Sequence, residues 1–281
     1  MTTSPLSLLS PPDFRCAYEH EYPETMLEVW HHIENDQRPA VLRALAPLQG
    51  RFKKILDVGP GDAYYLSRLA PKVYDFIEPN PSFYKMAQDQ ARKLNLVTRG
   101  IAKVENFLEQ EAPESYDLVI MSHVLFYMQE QELASLLPAL EHKPLVVVHP
   151  TLKASVSVEF ENYLGIENSR RRVALKEKLL GLPQIQKACP THFRVGENFD
   201  VEWLAFLVAH HTLDHALHNL CRLASARSFV LAKREQWHMP SLKYYEIPQP
   251  QIIEFYNLPA DLHASVEQAL NQKMICNTSE N

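Results

Sequence analysis

No CxxC pair joins any of the four cysteines, Cys16, Cys189, Cys221 and Cys276, which lie far apart in the 281 residues. A zinc ribbon or a dithiol site is therefore not indicated, and isolated thiols suit a reducing, cytoplasmic setting. No block of like charge is long enough to follow a phosphate backbone, and the net charge is −6. Nucleic acid is not an expected partner. The strongest basic cluster, Arg170–Arg172, reads as a solvated helix face. No apolar run reaches the ~18 residues of a membrane span, so no membrane partner is expected. The start, MTTSPLSLLSPPDF, has neither the basic beginning nor the apolar core of a signal peptide. There is no G-x-x-x-x-G-K-[ST] loop, no H-E-x-x-H helix and no internal repeat.

What is present is an ordinary globular composition, 46% hydrophobic and 22% charged, long enough for a full core. From residue 51 apolar strands and amphipathic helices alternate. KKILDV, KVYDFIE, LVTRGIAKV, YDLVIMSH and PLVVVHP read as strands. AYYLSRLA and PSFYKMAQDQARKL read as helices, and VLFYM as the opening of another. Such alternation predicts a mostly parallel, Rossmann-like α/β sheet with helices on both faces. Three regions follow: an N-terminal helical lid over 1–50, with Pro39 as a break, a ligand-binding core over 51–150, and a region over 151–281 that completes the sheet and adds a helical insertion. In the last region 157–181 reads as helical, THFRVGENF as a strand, and DVEWLAFLVAHHTLDHALHNLCRLA as a long helix. RSFVLAKRE reads as the antiparallel last strand, and PADLHASVEQALNQ as a closing helix.

The stretch KKILDVGPGDA ends a strand in Asp57 and Val58 and then runs into Gly59 and Gly61. Open α/β sheets bind ligands at the carboxyl ends of strands where the strand order reverses. The glycines stand in that place, unless they only make a tight turn. A dinucleotide fingerprint, G-x-G-x-x-G, would need glycine where Tyr64 stands. Twenty-one residues after Asp57, Glu78 ends the next strand and can accept hydrogen bonds from both hydroxyls of a ribose. It could equally cap the helix beginning near Pro81. An adenosine ligand without a pyrophosphate satisfies the glycines and the acid together.

ILDVGPGDA, IEPN and YDLVIMSHVLFYM, in this order, resemble the successive motifs of the class I S-adenosylmethionine-dependent methyltransferases over roughly residues 50–150. The length, the N-terminal helical segment and IEPNPSFYKMA further resemble histamine N-methyltransferase-like enzymes. One departure is Ala63, where the usual first motif has its last glycine. The resemblance implies S-adenosylmethionine as cofactor, S-adenosylhomocysteine as product, and methyl transfer to nitrogen or oxygen of a small molecule. It implies that Asp57 anchors the methionine ammonium end, often through water, that Gly59 and Gly61 let the backbone approach the methionine part, and that Glu78 holds the ribose. Glu105, Asn106 and Phe107 fall where the family contacts adenine, and Ser122 and His123 where it faces cofactor or acceptor. Glu105 and Phe107 could instead be an exposed acid and a core aromatic.

His123 is a satisfied buried histidine or, if the acceptor must lose a proton, the best-placed base. Tyr18, Tyr22, Glu24, Glu28, Trp30, Tyr127 and Trp203 are candidates for an acceptor pocket suited to a cationic amine, or else core and solvated surface. His211, His215 and His218 share a helix face with Asp214 adjacent, but one helix rarely supplies every ligand of an ion, so no metal is expected. A competing expectation is a protein that binds S-adenosylmethionine without turnover, as a regulatory or scaffold subunit.

Overall fold

The computed structural model describes residues 34–110, 115–197, 201, 204, 205, 208 and 219–271. In chain order the elements are β1 (Glu34–Asn35), α1 (Gln37–Leu45), β2 (Lys54–Val58), α2 (Leu66–Leu69), β3 (Val73–Ile77), α3 (Pro81–Lys93), β4 (Val97–Ile101), α4 (Val104–Gln110), β5 (Leu118–Ser122), α5 (Glu130–Leu140) and β6 (Leu145–Pro150). There follow α6 (Val156–Leu164), α7 (Asn168–Leu180), β7 (Ile185–Cys189), β8 (His192–Gly196), α8 (Asn219–Trp237), β9 (His238–Met239), β10 (Tyr244–Pro248), β11 (Gln251–Tyr256) and α9 (Ala260–Asn271).

The main sheet has the order β4-β3-β2-β5-β6-β11-β7, and β11 alone runs antiparallel to its neighbours. This is the expected mostly parallel α/β sheet with one antiparallel strand. Its central strands are mostly apolar because both of their faces are covered; every residue of β5 and β6 is buried. One face carries Ile55, Ile120, Val148 and Phe255 against α1 and α9. The other carries Leu56, Val58, Met121 and Val147 in a core shared with residues of α4, α5 and α7. The chain leaves β2 for β3 and β4 on one side and returns to β5 on the other, so the order reverses between β2 and β5.

Several sequence expectations are corrected. RSFVLAKRE is not the last strand but lies within α8, where Ala226, Phe229, Val230 and Trp237 are buried at helical spacing. The antiparallel strand is QIIEFY, hidden in the sequence by Pro248 and Pro250, which end β10 and precede β11. VLFYM does not open a helix: α5 begins at Glu130, where Gln129 and Glu132 form a reciprocal capping box. Pro39 does not break α1 but sits in its first turn, where a missing N–H costs nothing. A separate four-stranded sheet has the order β1-β8-β10-β9; its β8 lies in THFRVGENF, read as a strand, whereas β1, β9, β10 and the strand Ile185–Cys189 carried no clear sequence signal. Among the described residues no helix is long and apolar enough to cross a membrane.

Candidate active site

The carboxyl ends of β2 and β5 lie side by side, with Val58 paired to Met121. The loop leaving β2 turns through left-handed backbone at Gly59 (φ +68°) and Gly61 (φ +57°). At Gly59 the requirement is doubled, because a Cβ would come within 2.5–2.7 Å of Val124, the second residue after β5. At Gly61 a Cβ would meet nothing within 4 Å, so the bare backbone faces open space. Ala63, in place of the third glycine, takes the left-handed conformation as well (φ +52°) and is fully buried. The loop is tied to α1 by the Arg38–Asp62 ion pair at 2.7 Å, and the Arg38 guanidinium lies 4.7 Å from the centre of the Tyr64 ring.

Glu78, one residue past β3, is buried. It accepts hydrogen bonds from the backbone N–H of Asn80 (2.9 Å) and of Gly61 (3.4 Å). Asn80, not Glu78, caps α3, its side chain accepting from Ser82 and Phe83 N–H at 2.9 and 3.1 Å. Burial pushes the Glu78 carboxyl up to about 7, against these backbone donors, and the nearby Asp57 adds to the push.

Asp57 lies near the end of β2. Its carboxyl group is fully buried, and each oxygen accepts a tyrosine hydroxyl, Tyr65 at 2.8 Å and Tyr74 at 2.7 Å. Burial raises its pKa to about 7, with the two tyrosines pulling the other way. In this structure the carboxyl group holds Tyr65 and Tyr74 beneath the loop. Phe107 is buried in the core beside Tyr116, with ring centres 6.0 Å apart, as in the second of the two readings of this position. Glu105 and Asn106 are exposed in the first turn of α4, just beyond the end of β4.

Ser122 closes β5 and is buried. The Ser122 and Tyr64 hydroxyls face one another without a well-formed hydrogen bond. His123 follows in left-handed backbone (φ +60°), its N–H donating to the Val148 carbonyl at 2.8 Å. Such a conformation is costly for a non-glycine residue and tends to occur at functional turns. Tyr127 is in the next turn, where burial raises its phenol well above the usual range. Tyr18, Tyr22, Glu24, Glu28, Trp30, Trp203 and the histidines at 211, 215 and 218 lie outside the described residues. The sequence reading missed Val124, Tyr64 and the Arg38–Asp62 link. None of these has a motif of its own; each is defined by a partner far along the chain.

Residues 56–137 match the profile of the family described as "Methyltransferase domain". The matched stretch is similar to a methyltransferase domain. The cofactor that belongs to it is S-adenosylmethionine, and the class I resemblance of the motifs stands. Among solved structures, a proposed methyltransferase of Bacillus halodurans superposes with a TM-score of 0.52 at 12% identity, covering 78% of this chain and 98% of that one. The YcgJ protein of Bacillus subtilis gives 0.50 at 9% identity, covering 79% and 99%. Both likenesses concern the fold. A S-adenosylmethionine-dependent methyltransferase of Archaeoglobus fulgidus gives 0.47 at 14% identity, covering 84% and 99%. No curated protein sequence matches, and the closer resemblance to histamine N-methyltransferase-like enzymes finds no support in these comparisons.

The residues at the glycine loop fit this cofactor. The open space above Gly61 admits a ligand against bare backbone, and Glu78 offers a buried carboxyl group beside it. Among the described residues no cationic side chain bonds Asp57 or Glu78, whose donors are tyrosine hydroxyls and backbone N–H groups.

Proposed function

We propose that this chain transfers a methyl group from S-adenosylmethionine to nitrogen or oxygen of a small-molecule acceptor held above the carboxyl ends of β5 and β6. The observation that carries the reading is Glu78, a buried carboxyl group without a cation, hydrogen-bonded to the N–H of a left-handed glycine. When bound, the cofactor supplies an electrophilic methyl group on a positively charged sulfur, so alignment contributes most of the rate. Gly59 and Gly61 would line the methionine part, Glu78 would accept the ribose hydroxyls, and Glu105 and Asn106 would border the adenine. Ser122, with Tyr64, would turn a hydroxyl toward the cofactor. His123 would orient the acceptor, and would take its proton where the acceptor arrives protonated. Tyr127, with Tyr18, Tyr22, Glu28 and Trp203, would form the acceptor pocket, and the region before residue 51 its lid.

The sealing of Asp57 favours one second reading, a domain that binds the cofactor without turnover. Any methylated product from a panel of amines and phenols would exclude it.

Titration calorimetry with S-adenosylmethionine tests the site. Losing hydrogen bonds to a charged group costs about 1.5–3 kcal/mol each, so Glu78→Ala should weaken binding about 10–100-fold. Equal affinity in the variant would remove Glu78 from the site. Because both carboxyl groups titrate near 7 and a cation favours their ionised forms, affinity should rise from pH 6 to pH 8. S-adenosylhomocysteine, which lacks the sulfonium, should show a smaller rise.

A further inference from the structure

The edge strand β7 is separated from β5 by two strands, β6 and β11, and is therefore remote from the glycine loop. Between β7, α1 and α9 lies a cavity of about 220 Å³. Its walls are mostly small and apolar, with Ala40, Ala44, Ala188 and Ala269 leaving the space and Leu270 and Pro190 closing it. Two cations, Arg43 and Lys187, line it, and no acidic residue does. Arg43 is exposed in the last turn of α1, and its guanidinium makes no hydrogen bond or ion pair among the described residues. Lys187 donates only to a neutral group, the Asn271 side-chain oxygen at 3.2 Å. Both cations act on the Cys189 thiol in the wall, opposing the upward push of burial on its pKa. In a protein of net charge −6, two cations around one hollow with no acidic residue lining it among the described residues form a local reversal of sign.

We propose that this cavity is a second ligand site, which takes a small organic carboxylate: its head between Arg43 and Lys187, its apolar body against the alanines. The volume is below the ~300–1,000 Å³ of sites for drug-sized ligands, so the body is no larger than a single ring or short chain. Arg43 offers a planar fork that matches a carboxylate, and Lys187 adds a point charge. A bare inorganic anion would satisfy the cations but leave the apolar walls uncovered.

The test is ligand-observed fluorine NMR of the full chain with 4-(trifluoromethyl)benzoate as probe. The probe should show saturable broadening, and its neutral analogue 4-(trifluoromethyl)benzyl alcohol should not. Raising the salt concentration should weaken the binding. Arg43→Gln with Lys187→Gln should lower probe affinity at least tenfold. Ala269→Leu keeps both charges but fills the hollow, and should abolish binding. Both sets of positions are at least partly exposed, so folding should survive, as circular dichroism would verify. The proposal is overturned if the wild-type protein does not bind the probe, or if both variants bind it as the wild type does. It is also overturned if inorganic phosphate displaces the probe as effectively as unlabelled benzoate, which would mean a bare anion site. None of these outcomes depends on S-adenosylmethionine binding.

Discussion

Two regions of the molecule bury carboxyl groups equally deeply and treat them in opposite ways. Beneath the glycine loop, Asp57 and Glu78 are 0% and 2% exposed and are both pushed up to about 7. Beyond β6, Glu254 is 1% exposed and is held at about 2. Burial acts upward on all three. At Glu254 it is overcome by the His149 imidazole, 3.7 Å from Oε2, and the charge of Lys176, whose ammonium bonds Oε2 directly. The Tyr256 hydroxyl (2.9 Å) and the Gln186 amide (2.9 Å) complete the shell. At Asp57 and Glu78 the donors are tyrosine hydroxyls and backbone N–H groups, which stabilise a negative charge but do not cancel it. The difference teaches where the fold is complete in itself. The carboxylate beside β6 has its cation within the chain; among the described residues the pair beside the glycines has none, as suits a site for a cationic ligand.

The largest effect should come from breaking the complete region. Lys176 is fully buried on α7, and its neighbour Arg172 holds the post-β5 turn through the Met128 carbonyl at 2.7 Å. Lys176→Met strands the Glu254 charge and should cost about 3–5 kcal/mol in urea unfolding at neutral pH. Adding Glu254→Gln should recover most of that loss, because a neutral pair needs no counter-charge. A single-variant loss below about 1 kcal/mol would mean that water reaches Glu254, and the contrast would fail. The sign with pH follows from the depressed pKa. Glu254 contributes stability above the ordinary 4.5, and the contribution is lost as pH falls toward about 2.

The incomplete region should respond in the opposite sense. The pKa values of Asp57 and Glu78 are raised from 3.8 and 4.5 to about 7, so the folded chain holds protons that the unfolded chain has released. The stability they contribute is full below about 4 and is lost as pH rises through about 7. Asp57→Asn removes one of these protons from the balance while keeping an oxygen for a tyrosine hydroxyl. Relative to wild type, the variant should therefore gain stability between pH 5 and pH 8, by an amount on the order of one to a few kcal/mol. Urea unfolding at the two pH values measures the gain. Parallel pH profiles of variant and wild type would show that Asp57 is ionised throughout.

The sequence exposes the open half of this comparison better than the closed half. Asp57, the glycines and Glu78 are legible because strand ends and a fixed spacing of twenty-one residues place them. The parallel strands are legible because burial on both faces writes itself as an apolar run. The seal on Asp57 is not, since Tyr65 and Tyr74 reach it by the turn of a loop and by lateral pairing of β2 with β3. The Lys176–Glu254 pair joins residues 78 positions apart, and a lysine in a charged helix reads as solvated surface until α7 is packed. QIIEFY was obscured by its prolines, whereas SFVL reads as a strand because the β-branched and aromatic residues outweigh the helix-forming residues around them in a short window. The small sheet has edges of two residues, too short to show any period.

The smallest expected effect concerns the residue by which the loop departs from its family. Ala63 holds a left-handed backbone at a cost of roughly 1–2 kcal/mol that glycine would not incur. Ala63→Gly relieves this strain but exposes a packing gap, because the methyl group is buried beside Leu66, Tyr74 and Phe76. A buried methyl contributes about 0.8 kcal/mol, and glycine adds about 0.5–1 kcal/mol of unfolded-state freedom. The two sides nearly cancel, so stability should move by less than about 1 kcal/mol. Since φ at this position already suits glycine, the loop keeps its path, and affinity for S-adenosylmethionine should stay within about twofold, or ~0.4 kcal/mol. A tenfold gain in affinity would mean instead that the alanine distorts the loop, and that the space above Gly61 is set by Ala63 as much as by the two glycines before it.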